Sequence, residues 1–519
     1  VSPLTPDYVN PEAPWPHLEQ LARETEAAGK FLDQRLTIYP HYVQQPLTWL
    51  DPALRTPVLR QHDASGFACR DAWAPGEDSP VPELEQRLLQ RTTLLPVAAD
   101  LQAVVERCEA GAVLREEDVT RLFECRGDEF SFVVQAADRL RRERCGDTVS
   151  YVVNRNINYT NVCYFKCQFC AFSKGKLSEA LRGRPYDISA TEIARRCREA
   201  WQRGATEVCM QGGIHPDYTG QTYLDILATV RAATPAMHIH AFSPLEVWQG
   251  AATAGISLDV FLRQLWAAGL NTLPGTAAEI LHDDVRAILC PDKLNTAEWL
   301  EVMETAHAVG FRTTATIMYG HIEQPQHWAR HLLEIRNLQA RTGGFTEFVP
   351  LPFVHMEAPM YQRGRARSGP TFREAVLMHA VARLVLHNHI DNIQASWVKM
   401  GEAGVAACLR AGVNDLGGTL MNESITRAAG SAHGQEWSPA HMEAQIRAEG
   451  RVPRMRTTLY ADAREERREA AFAAPELLAV ENLDAGRLQR DKRLLLATET
   501  RPQALPAGQE QVFLMAASN

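Results

Sequence analysis

Three cysteines packed into eight residues, Cys163, Cys167 and Cys170, are the part of this sequence best equipped to do chemistry. They lie in the run NRNINYTNVCYFKCQFCAFSKGK, residues 154–176, with the spacing C-x3-C-x2-C. Three thiolates so placed can bind three irons of a cubane 4Fe-4S cluster and leave the fourth iron without a protein ligand, whereas four cysteines would suit electron transfer alone. The open iron is then free to take a ligand. Two plainer arrangements use the same residues: a structural zinc site, which would want a fourth ligand close by, or three thiols with no shared partner. The other eight, Cys69, Cys108, Cys125, Cys145, Cys197, Cys209, Cys290 and Cys408, are scattered and read as small buried hydrophobes.

The elements that would hold such a loop begin at residue 149, where short apolar stretches start to alternate with amphipathic helical ones. That alternation is the pattern of a parallel sheet covered by helices. Strands are expected over 150–158, 207–211, 237–242, around Thr272, and over 312–318, 347–351, 392–397 and 413–416. The helix between the first two shows the grammar: Ser189 caps it with Glu192 three residues on, Ile193, Cys197 and Trp201 share a face, and Gly204 ends it. Eight such units predict an α/β protein built as a (β/α)8 TIM-type barrel, whose chemistry sits in loops leaving the C-terminal ends of the strands.

On that rule the triad leaves strand one, and groups at the other strand ends reach the same mouth. After strand two comes Gln211, Gly212 and Gly213, where paired glycines let backbone approach a neighbour closely. Ser243 and Glu246 follow strand three, and His321 and Glu323 follow strand five; each could contact a ligand or cap a helix. After strand four, Thr276 is expected to cap a helix whose amino end faces the cavity and favours an anion. Lys399 ends strand seven, and Asn414 and Glu423 belong to the stretch that closes strand eight. His387, His389 and Asp391 precede strand seven and fall on the opposite rim, where stability or solvation is the expected role.

The rest of the chain frames this barrel. Residues 1–75 are proline-rich and irregular, with one short helix over 17–29, and 73–82 read as an acidic linker. Residues 76–148 become helical, with Leu101, Val104, Val105 and Cys108 on one stripe and Phe130, Val133, Val134, Ala137 and Leu140 on another. The barrel is expected over 149–430 and a helical extension with a tail over 431–519. A net charge of -9 gives no basic surplus for nucleic acid. No apolar run of 18 residues and no secretory start is present, so a cytoplasmic protein without membrane contact is expected.

The spacing C-x3-C-x2-C, with Phe169 before the last cysteine, resembles the cluster loop of the radical S-adenosylmethionine (radical SAM) enzymes. The resemblance implies a 4Fe-4S cluster on Cys163, Cys167 and Cys170, with S-adenosyl-L-methionine on the open iron yielding a 5'-deoxyadenosyl radical. It implies that Gly212 and Gly213 meet the amino group of that cofactor, and that Phe169, Gln211, Ser243, Glu246 and Glu323 belong to its surroundings.

More narrowly, the motifs QGGIHPDYTGQTYL, LPGTAAEIL, MYGHIEQP and NDLGGTLMNESITRAAGSAHG, with the cluster loop, resemble the tyrosine-using half of the FO synthase family. In that family the radical acts on L-tyrosine, its Cα–Cβ bond breaks, and the 4-hydroxybenzyl group joins 5-amino-6-(D-ribitylamino)uracil. A second radical SAM domain closes the deazaflavin ring, and an electron donor such as flavodoxin or ferredoxin serves the cluster. The stretches PLTPDYVNPEAPWPHLEQL, RLTIYPHYV and WLDPAL resemble the tail of that second half, which implies a fused synthase cut short. Two alternatives stay open: an aminofutalosine synthase-like enzyme of the menaquinone pathway with a different acceptor, and a non-catalytic iron–sulfur electron carrier. No acid, base or substrate-binding residue is assigned; Ser243, Glu246, His321, Glu323, Lys399, Asn414 and Glu423 are the candidates.

Overall fold

The computed structural model describes residues 8, 12, 16–92, 96–173 and 185–482. β1 (Thr148–Val152) and β2 (Asn154–Ile157) are two halves of one run that changes neighbours between them. β2 then pairs in parallel with β3 (Glu207–Met210), and β4 (His238–Ala241), β5 (Thr272–Leu273), β6 (Arg312–Tyr319) and β7 (Phe345–Pro352) follow in chain order. The ring closes through parallel bridges, Phe348 to Ile393 and Gln394 to Asp415, and through β8 (Asp415–Gly418) back to β1. Strand seven, expected over 392–397, is thus reduced to a short ladder. Its bonds are nevertheless made, from Phe348 N to Asn392 O at 2.9 Å and from Gln394 N to Phe348 O at 3.0 Å.

Asn154 marks the point where the first strand changes neighbours. Its Nδ2 donates to Glu207 at 2.8 Å while its Oδ1 accepts from Leu420 N at 2.9 Å. Gly418 must be a glycine beside it, because a Cβ there would stand 2.1 Å from that Oδ1.

β9 (Val452–Arg456), in the extension expected to be helical, pairs in parallel with β1 from Thr148–Val452 to Val152–Arg456. It carries Arg456 into the barrel floor, where the guanidinium donates to Asp415 at 2.6 Å and to Glu347 at 3.2 Å. Tyr460 donates to the same Glu347 at 2.6 Å. Burial pushes the Glu347 carboxyl up to about 7, against the pull of Arg456.

The stripes expected in the N-terminal helices are buried, from Leu101 to Cys108 and from Phe130 to Leu140. Helix Phe372–Val385 is buried along its whole length, because these helices cover its outer side while the barrel covers its inner one. The segment before them is docked too. Buried Asp63 accepts from Arg126 and from Arg373, the latter at 3.1 Å, and Ala64 N donates to Glu374 at 2.6 Å. Residues 73–76, inside the expected linker, are buried, and Gly76 N donates to Lys399 O at 2.8 Å. No helix of the described residues is long and apolar enough to cross a membrane.

Candidate functional site

The loop leaving β2 is held from three sides. From the strand-two loop, Gly213 N donates to Thr160 O at 2.8 Å, and Tyr164 N returns a bond to Ile214 O at 3.1 Å. From the stretch after the strand-four turn, Leu289 O accepts from Gln168 N at 2.8 Å and Asp292 Oδ2 from Lys166 N at 3.0 Å. From the strand-six loop, Met360 N donates to Gln168 O at 2.8 Å, and Arg363 donates to Gln168 Oε1 at 2.9 Å. Backbone groups that water would otherwise satisfy are therefore paired within the protein, which fixes the loop.

The glycine pair is the bed on which this loop rests. A Cβ on Gly212 would stand 2.3 Å from the ring of Tyr159, and one on Gly213 would stand 2.3 Å from Val162 O. Glu246 ties the same region together. It accepts from Ser243 N at 2.7 Å, Ser243 Oγ at 2.5 Å, Gly212 N at 3.1 Å and the phenol of Tyr159. Burial raises its pKa, and those four bonds oppose the rise. Ser243 and Glu246 form a reciprocal capping box for helix Pro244–Ala254, and both carboxylate oxygens are occupied by this chain's own donors. Gln211 gives its backbone carbonyl to Asn158 Nδ2 at 3.1 Å.

The strand-five loop is closed by Glu323. Its carboxylate takes the amides of Gly320, His321 at 3.0 Å and Ile322 at 2.9 Å, the indole of Trp328 at 2.9 Å, and lies 2.5 Å from His321 Nδ1. Burial alone would raise its pKa, but His321, Arg367 and the Gly320 amide hold it well below the carboxylate range.

The strand-four loop departs from expectation. Thr276 caps no helix: the next one is Asp283–Leu289, with His282 at its cap. Residues 274–282 instead form an irregular turn with Ala277 at φ 65° and Glu279 at φ 46°. Arg286 holds this turn from behind by donating to the carbonyls of Ala277, Ala278, Ile280 and Leu294. The turn aims Glu279 at Lys293, with Nζ to Oε1 at 2.7 Å, and that Nζ lies 5.5 Å from the centre of the Phe169 ring. Sequence reading passed over Arg286 and Lys293, since charged residues in a loop usually signal solvent. Only burial by other loops gives them a role.

Two further expectations part company at strand eight. Asn414 precedes β8, so it lies at the rim opposite the mouth. There it accepts from Arg383 at 2.7 Å and from Ile393 N at 2.9 Å. Glu423 follows the strand and binds Thr426 N at 2.7 Å. Lys399 faces Glu423 and Glu279 across the mouth with no bonded anion among the described residues, and burial lowers its amine to about 8 against their attraction. His389 and Asp391 lie on the opposite rim as expected, Asp391 paired with Arg144 at 2.8 Å.

Cys163, Cys167 and Cys170 lie within electrostatic reach of one another on the held loop. Ser173 N donates to Cys170 Sγ at 3.3 Å. Burial pushes Cys163 up to about 11 and Cys167 well above the thiol range, so metal binding there displaces protons. Among the described residues no three Cys, His, Asp or Glu side chains are gathered into a ready single-ion site. The donor set, three soft thiols on one loop, is of the kind that iron–sulfur clusters take.

Comparison with known proteins agrees with this architecture. Residues 157–335 match the Radical SAM superfamily, and residues 342–469 match the CofH/MqnC C-terminal region. The fold is similar to methylornithine synthase (PylB), with a TM-score of 0.54 at 16% identity over 71% of this chain and 99% of that one. It is also similar to the FeFe-hydrogenase maturase HydG from Carboxydothermus hydrogenoformans, with a TM-score of 0.52 at 12% identity over 72% of this chain and 83% of that one. The chain is 44% identical to the FO synthase of Streptomyces coelicolor over 92% of its own length and 60% of that protein, so it spans about three-fifths of that relative. It is 50% identical to the 5-amino-6-(D-ribitylamino)uracil--L-tyrosine 4-hydroxyphenyl transferase of Methanocaldococcus jannaschii over 62% of this chain and 90% of that protein. On that match the chain belongs to the radical SAM enzymes and, among them, to the family of this tyrosine 4-hydroxyphenyl transferase.

Proposed function

We propose that the chain performs the tyrosine-dependent step of deazaflavin construction: L-tyrosine is cleaved between Cα and Cβ, and its 4-hydroxybenzyl group is joined to 5-amino-6-(D-ribitylamino)uracil. The observation that carries this reading is the 50% identity to the tyrosine 4-hydroxyphenyl transferase, spread over nine-tenths of that protein. The held loop supports it. In this reading Cys163, Cys167 and Cys170 would hold three irons of a 4Fe-4S cluster and leave the fourth for S-adenosyl-L-methionine. When bound, the two would supply one-electron chemistry that yields a 5'-deoxyadenosyl radical.

The chain's own residues supply position and exclusion. A primary carbon radical attacks almost any nearby C–H bond, so the target must be placed and water kept out. Gly212 and Gly213 set the height of the cluster loop, and Glu246 and Tyr159 lock that height from the next loop. Lys399, a cation with no bonded anion among the described residues, would take the tyrosine carboxylate, an anion that needs a partner once desolvated. Thr276, whose buried hydroxyl has no partner among the described residues, is a second candidate for a substrate contact.

A second radical SAM domain would close the ring, and a low-potential electron donor would reduce the cluster. The region 342–469 bears the names of two enzymes, so a different acceptor is the competing reading. The test is anaerobic reconstitution with iron and sulfide, followed by S-adenosyl-L-methionine, reductant, tyrosine and the ribitylaminouracil. Formation of 5'-deoxyadenosine together with the adduct supports the proposal. 5'-Deoxyadenosine without adduct contradicts it.

A further inference from the structure

We propose that Lys293, held by Glu279 against Phe169, sets how readily a cluster on Cys163, Cys167 and Cys170 accepts an electron. The inference rests on the reading that the triad holds a cluster, and it does not depend on which substrate is used.

The geometry is unusual for a lysine in a loop. Its side chain is only 8% exposed and that of Glu279 only 12% exposed. Burying a charge pair is unfavourable unless geometry and hydrogen bonds compensate, so such a pair has to be built. Here several elements build it. Arg286 holds the backbone of the turn from behind, and Glu279, at positive φ, is fixed by a bond from Met318 N to its carbonyl at 3.0 Å. Lys293 N donates to Cys290 O at 3.0 Å, and the same stretch carries Leu289 and Asp292, which grip the cluster loop at Gln168 and Lys166. The ammonium thus has a fixed place beside the C-x2-C half of the loop. It lies over the ring of Phe169, the second of the two residues between Cys167 and Cys170, and within electrostatic reach of Cys167.

The consequence follows from charge. Reduction adds one electron to the cluster and returns none, so the reduced state is more negative by one unit. A nearby cation in a poorly solvated site stabilises that state, and net charge and solvent exposure are what set cluster potentials. Glu279 opposes Lys293. Removing the lysine leaves an uncompensated carboxylate near the loop, and neutralising the glutamate leaves the ammonium unopposed. The two changes therefore act in opposite directions. Distortion of the loop by mutation would have no reason to do so.

The experiment is a redox titration of the anaerobically reconstituted full chain, using dithionite and mediators and following the reduced cluster by electron paramagnetic resonance, with no tyrosine or uracil present. At a fixed potential the ratio of reduced to oxidised cluster in Lys293→Met is expected to be about tenfold lower than in the unsubstituted chain, a midpoint lowered by about 59 mV for one electron. Glu279→Gln is expected to move the midpoint upward, and the double variant to return it toward the starting value. If Lys293→Met loses its cluster, Glu279→Gln still decides the matter, since its midpoint must rise. Shifts of both single variants in the same direction, or an unmoved midpoint in Glu279→Gln, would overturn the proposal.

Discussion

Gly213 and Cys163 are packed so closely that a Cβ on the glycine would stand 2.9 Å from the Cβ of the cysteine. It would also meet the carbonyl of Val162 at 2.3 Å, and backbone cannot swing away as a side-chain tip can. Gly213→Ala must therefore push the first cysteine of the triad off its bed. Overpacking of this kind costs about 1–3 kcal/mol. The expected outcome is a lower melting temperature and a reconstituted protein with much less iron per chain. Full iron content in Gly213→Ala would mean that the bed does not set the loop.

Cys290 offers a test of whether one iron is open. It is buried and lies within electrostatic reach of Cys167, so it is the described cysteine best placed to supply a fourth thiolate. In the proposed reading it is a core residue. Cys290→Ala should keep the cluster and the spectral change on adding S-adenosyl-L-methionine, while Cys167→Ala should lose both. Loss of the cluster in Cys290→Ala would instead favour a four-thiolate electron carrier.

Lys399 ties stability to pH with a definite sign. Burial lowers its amine from 10.5 to about 8, so between those values the unfolded chain binds the proton that the folded chain has released. Stability therefore rises with pH across that window, and the penalty of holding the charged amine is fully present below about 8. Lys399→Met removes the penalty. The variant should melt at a higher temperature than the unsubstituted chain at pH 7, and the difference should shrink as pH climbs above 8. In the same variant the KM for tyrosine should rise. A substitution that leaves both the melting curve and the KM unchanged would remove Lys399 from the mouth.

Glu323 works with the opposite sign. Its folded pKa is held well below the ordinary 4.5, so its contribution is present above that value and is lost as pH falls toward the folded pKa. Glu323→Gln turns one of the two oxygens that accept the three backbone amides into a donor, and removes the charge that compensates Arg367. Breaking one side of a buried charged pair costs about 3–5 kcal/mol. Denaturant unfolding at neutral pH should show that loss, and the variant should have a flatter acid dependence. Equal stability would mean that the loop closes without its carboxylate.

What was legible in the sequence divides along physical lines. The barrel strands were, because an apolar run bounded by Gly or Pro is a local signal, and β3, β4 and β6 fall where that signal put them. Helix capping by Ser243 and Glu246 was one of two roles the sequence left open beside ligand contact, and the reciprocal box shows that the pair does cap. β9 was not: VPRMR carries two arginines and a proline, and its pairing with β1 joins residues about 300 apart. Arg286, Lys293 and the turn at Glu279 were missed for the same reason, since a charged residue reads as solvated until another loop buries it. Thr276 misled because its Thr–Ala–Ala–Glu pattern looks like a helix start, whereas Arg286 collects the carbonyls that a helix would have used.

The most direct measurement is mass spectrometry of the anaerobic reaction run with tyrosine labelled with carbon-13 in its ring. The expected product is a ribitylaminouracil adduct heavier by the full ring label, formed together with 5'-deoxyadenosine. An adduct without the label, or 5'-deoxyadenosine formed equally well when tyrosine is omitted, would contradict tyrosine as the substrate.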